Sequence, residues 1–123
     1  MPTEPQTVTL AQIVHRAVEI TDPDGAEEDL VQLLQRFEDA DEPVTAILDG
    51  LEQRMAEAAG ALDPQADSPA LQVATAVVVY LGHRRDEMED DAENILRLAT
   101  RAEFNGNPPA NVANWLDEVG IEY

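Results

Sequence analysis

Ser68-Pro69-Ala70-Leu71-Gln72-Val73-Ala74-Thr75-Ala76-Val77-Val78-Val79-Tyr80-Leu81-Gly82-His83 is the stretch on which the fold turns. Its second half, Val77-Val78-Val79-Tyr80, is the most strand-prone run in the chain, because β-branched and aromatic side chains suit a pleated surface. A strand needs a partner, and no second run of that kind occurs. The first half carries a helix start instead: Ser68 is a good N-cap, and Pro69 at the first helical position gives up an N–H that has no intrahelical partner anyway. Leu71, Ala74, Val77, Val78 and Leu81 then fall on one helical face. The stretch reads as a helix, and the chain as all-α.

Beyond it, Gly82-His83-Arg84-Arg85 places cations at a helix C-terminus, and Asp86-Glu87 with Glu89-Asp90-Asp91 place anions at a helix N-terminus. The pattern predicts a break there. The competing reading is one helix over 69–103, supported by Met88, Ala92, Ile95, Leu96 and Ala99, which roughly continue the apolar stripe. With a break, the acidic run becomes the exposed first turn of the next helix, with Arg84 and Arg85 pairing with Glu87 and Glu89. Phe104-Asn105-Gly106-Asn107-Pro108-Pro109 is a loop. A short terminal helix follows, with Val112, Trp115, Leu116 and Val119 on one face, Trp115 as an anchor, and Gly120-Ile121 as a C-terminal glycine with its apolar clip.

On the other side, Thr9 and Gln12 have capping-box spacing, Val8 can staple onto Ile13, and Leu10, Ile13, Val14, Ala17 and Val18 predict a helix over 10–20. Thr21-Asp22-Pro23-Asp24-Gly25 is a turn, and Asp24 with Glu27 suggests the cap of a second helix whose core side is Ala26, Leu30, Leu33, Leu34 and Phe37. Asp41-Glu42-Pro43 interrupts. Pro43 fits the first turn of a third helix that carries Val44, Ile47, Leu48, Leu51, Met55, Ala58 and Ala59 toward Gly60. The expectation is a single domain over 1–123, with 1–8 as a flexible tail and five or six short helices bundled around one Ala/Val/Leu core.

The charge balance is extreme: 26 acidic residues against 7 basic ones, all arginine, give a net charge of −19. Such a field repels phosphate backbones and anionic lipid surfaces, which argues against direct nucleic-acid or membrane binding. No stretch reaches the ~20 apolar residues of a membrane span and no signal-peptide pattern opens the chain, so a soluble cytoplasmic protein is expected. The acidic, lysine-free composition resembles that of proteins from salt-adapted organisms, in which molar salt screens the self-repulsion. A high-GC genome is another source of arginine in place of lysine.

Chemistry-bearing constellations are sparse. There is no cysteine, and the one serine, Ser68, stands beside a proline outside any nucleophile elbow. Asp22-Pro23-Asp24-Gly25 fails the register of a calcium loop, because Ile20 and Val31 would occupy ligand places. His15 with Glu19 and His83 with Glu87 each stand one helical turn apart, a spacing that metal ligands use and that a solvated acidic face also produces. The segment 109–121 faintly resembles half of a helix-turn-helix module but holds no cation to meet a phosphate. The reading is a non-enzymatic interaction or regulatory domain with no cofactor, catalytic residue or metal site, acting on another protein or on itself. The alternatives are an acidic nucleic-acid mimic and, third, a weak metal-binding or catalytic bundle.

Overall fold

A computed structural model describes residues 8–65 and 67–121. The 68–83 stretch is helical: α4 spans Pro69–His83, and the Ser68 hydroxyl accepts the Leu71 N–H at 3.2 Å. Four valines in a helix forgo roughly 2 kcal/mol of propensity relative to alanine. Burial outweighs this, since Leu71, Val73, Val77, Val78 and Leu81 are all at most 1% exposed, worth on the order of 10 kcal/mol together. Propensity loses to packing because α4 is the central helix.

Around it stand α1 (Leu10–Thr21), α2 (Glu28–Phe37), α3 (Leu48–Leu62), α5 (Ala92–Phe104) and α6 (Ala110–Glu118). All five pack on α4, α1 also packs on α2, and α3 and α5 lie on either side of α4 with little contact between them. One apolar cluster joins all six helices. Among the described residues there is no β-strand, and no helix is long and apolar enough to cross a membrane.

The first four N–H groups of a helix lack internal partners, and α1 finds one for each. Thr9 N–H donates to the Gln12 side-chain carbonyl at 3.0 Å and Gln12 N–H to the Thr9 hydroxyl at 3.3 Å, the two bonds of a capping box. Leu10 and Ala11 donate across the fold to the carbonyls of Glu42 and Ala40 at 3.1 and 3.0 Å. Val44 N–H donates to the Val8 carbonyl at 3.0 Å, so Val8 belongs to the folded body rather than to the tail expected over 1–8. The remainder of that tail, 1–7, lies outside the described residues.

This strap explains why the third helix starts late. Val44–Ala46 is only a short 3-10 turn, and Ile47 at φ −126° stands outside helical geometry before α3 begins. Gly60 does not end α3, which runs to Leu62 and stops at Asp63, where the following Pro64 disfavours helical backbone. α2 likewise begins later than expected. Asp22, rather than Asp24, supports it, accepting the N–H groups of Ala26 at 3.0 Å and Glu27 at 2.9 Å. Ala26 is therefore an exposed loop residue and not part of the core.

Asp63 repeats the arrangement, accepting from Asp67 at 3.1 Å and Ser68 at 2.8 Å. Both aspartates precede a proline and both donate their own N–H to the end of the previous helix at 2.8 Å. The fold thus uses one Asp-Pro corner twice.

The break after His83 is present, but the acidic run is not the first turn of α5. Arg85–Glu87 forms a 3-10 turn and α5 starts at Ala92. Arg16 of α1 holds this connection from below, donating to the carbonyls of Met88 at 2.8 Å and Asp90 at 3.0 Å. At the C-terminus Gly120 takes φ +76° and Ile121 N–H reaches the Leu116 carbonyl at 2.9 Å, closing α6 as its glycine suggests. Val119 departs from the expected stripe: it lies past the end of α6 and is 48% exposed. Trp115 is half-buried against the core.

Candidate interaction groove

Because α3 and α5 flank α4 without closing over it, part of α4 reaches the surface between them as the floor of a groove. Two adjoining hollows, of about 310 and 70 Å3, share Glu52, Ala76, Val79 and Glu103. Those four residues mark the middle. Toward one end lie Tyr80, His83 and Arg84, and toward the other Met55, Ala56 and Thr75. The floor is apolar because α4 carries no charged residue before its C-terminus; the walls are low because Ala56, Ala99 and Ala102 have short side chains.

Glu52 on α3 and Glu103 on α5 face this middle from opposite walls. Although Glu103 is exposed as a residue, loss of water around its carboxyl raises its pKa above the usual carboxylate range, and the charge of Glu52 raises it further. Among the described residues neither carboxylate receives a hydrogen bond or an ion pair. At the neighbouring end the Tyr80 hydroxyl donates to Glu87. Burial first, then this bond and the charge of Glu87, push the phenol up to about 12.

The constellations read from the sequence are placed differently. Glu19 accepts from Arg16 at 2.6 Å rather than joining His15, and Glu87 is taken by Tyr80 rather than by His83. His15 lies on the exposed face of α1, while His83 lines the groove. No group of three or more His, Asp or Glu among the described residues is arranged to hold a metal ion. Arg85 turns back to the Gly82 carbonyl at 2.5 Å, so the expected pairs of Arg84 and Arg85 with Glu87 and Glu89 give way to helix-end and tyrosine contacts. Asp90 accepts from Asn94 at 2.6 Å, and this bond, with that from the Asp91 N–H, lowers its pKa. Asp22-Pro23-Asp24-Gly25 is a turn, with Gly25 at φ +65°.

Elsewhere Arg54 joins Glu42 at 2.6 Å and sits 5.8 Å from the Phe37 ring centre, and its hydrogen bond is the main cause of the lowered pKa of Glu42. Glu52 and Glu103 escaped the sequence reading because they stand on different helices far apart in the chain, without a local pattern to mark either one among so many carboxylates.

Comparison with protein-family models, curated proteins and solved structures finds no match.

Proposed function

We propose that the chain is a non-enzymatic interaction domain whose binding surface is the groove over α4. The observation that carries this reading is the surfacing of part of the central apolar helix between two helices with little contact between them, beside a pair of carboxylates without a partner among the described residues. An apolar floor with a few polar groups at its edge is the usual composition of a recognition site. Salt adaptation accounts for the remaining acidity. Carboxylates occur on every helix except α4 and in every described connection except that between α5 and α6, so they surround the core. A phosphate mimic concentrates its carboxylates along one track, and this distribution favours the interaction reading over mimicry.

The test is co-purification from the native host at native salt, comparing the wild type with Ala102→Arg. Ala102 is exposed, so the variant keeps its fold while a long side chain fills the groove. Loss of a stoichiometric protein partner from the variant supports the reading. A partner retained equally by both proteins, or a recovered nucleic-acid-binding protein held through other acidic faces, refutes it.

A further inference from the structure

We infer that the groove receives a short amphipathic helix of a partner protein, with an apolar side chain on Val79 and one arginine or lysine between Glu52 and Glu103. The inference rests on the groove being the binding surface and adds the chemistry of its occupant. Thr75, Val79, Tyr80 and His83 reach the surface along α4, with Ala76 buried among them, and the length from Thr75 to His83 is about 12 Å at 1.5 Å per residue, enough to seat two turns. The small, exposed side chains Ala56 and Ala102 allow a helix to approach closely, and a helix in a groove is held by anchors one turn apart.

Charge then fixes the occupant's middle. Glu52 and Glu103 oppose each other above the floor, in the region common to both hollows, and the fold supplies no cation to either among the described residues. An inserted guanidinium or ammonium converts their repulsion into two attractions, with its aliphatic stem covering the apolar floor. Arg84 closes one end with its guanidinium, so the occupant carries no cation there. The arrangement has a polarity: apolar contact on Val79, one cation in the middle, and a neutral or acidic residue toward the α4 C-terminus.

The full chain can be titrated with three designed helical peptides of identical apolar face, whose central groove-facing residue is Arg, Gln or Glu. Binding is measured by calorimetry, and the site located by amide shift changes. The expected result is at least tenfold tighter binding of the Arg peptide than of the Gln peptide, the weakest binding for Glu, and shifts centred on Ala76, Val79 and Ala99. In the Glu52→Gln, Glu103→Gln double variant the Arg advantage should vanish while the Gln peptide binds as before. Equal binding of the Arg and Gln peptides within the groove, or an Arg advantage that persists in the double variant, overturns the cation assignment and leaves the groove as a binding surface. Shifts outside the groove, no binding by any peptide, or concentration-dependent self-association that protects the groove overturns the partner helix itself. Ala102→Arg separates the two layers: a native partner lost from this variant but unaffected by the double variant counts against the inference alone.

Discussion

Glu103 is a residue whose environment works against its ordinary charge state. Its folded pKa is raised, so the stability associated with its protonated form is fully present below the unfolded value of about 4.3 and is lost as pH rises through the higher folded value. Ionised at neutral pH, it opposes folding. Glu103→Gln is therefore expected to raise the melting temperature at pH 7 and to leave it unchanged near pH 4, as thermal unfolding across that range would show. Tyr80 titrates at the other extreme. The absorbance step removed by Tyr80→Phe should centre near 12, above the ~10 of a free phenol. Because its folded pKa is the higher one, the stability that the neutral phenol contributes holds below about pH 10 and is lost as pH rises through about 12. A step at the free-tyrosine position would show that the bond to Glu87 and the surrounding burial are absent in solution.

At the scale of helices, the joints are held by aspartates that precede prolines. Asp22 accepts two N–H groups at the entrance to α2, a role that local spacing assigns to Asp24. Asp22→Ala should cost about 1–2 kcal/mol in chemical denaturation, and Asp24→Ala close to nothing. The opposite outcome would restore the local reading. α3 and α4 meet at Gly82, where an added Cβ would come within 2.4 Å of Leu51 Cδ2 and 3.5 Å of Val44 Cγ2. Leu51 is fully buried and has little room to move. Although alanine is about 1 kcal/mol better than glycine inside a helix, overpacking by 1–3 kcal/mol outweighs that gain, so Gly82→Ala is expected to lower stability by about 1 kcal/mol. A stabilised variant would mean that the two helices are less closely seated.

For the molecule as a whole, the large acidic excess leads to the expectation that stability depends on salt. The carboxylates, spread over five of the six helices, repel one another more strongly in the folded chain than in the expanded one, and the Debye length shortens from ~10 Å at 0.1 M to ~3 Å at 1 M salt. The melting temperature should rise between low salt and molar potassium chloride. An unchanged or falling midpoint would remove the argument for salt adaptation. The same screening bears on recognition, because in molar salt only charges in direct contact retain much attraction, and a groove that couples apolar contact to one enclosed cation keeps its selectivity there.

The sequence by itself determined the all-α class, the helix α4 with its serine cap and proline start, the capping box of α1, the break after His83 and the glycine stop of α6, because each depends on side chains within a few residues of one another. Tertiary structure decided what local spacing does not contain. The strap at 40–44 tied down Val8 and delayed α3, and Arg16 of α1 converted the 86–91 acidic run from a helical first turn into a held connection. It also brought Glu52 and Glu103 to opposite walls of one groove. In a chain with 26 acidic residues, carboxylates at almost any helical spacing are abundant, so their pattern along the sequence selects no pair; only the packing of α3 and α5 against α4 sets two of them face to face over an apolar floor.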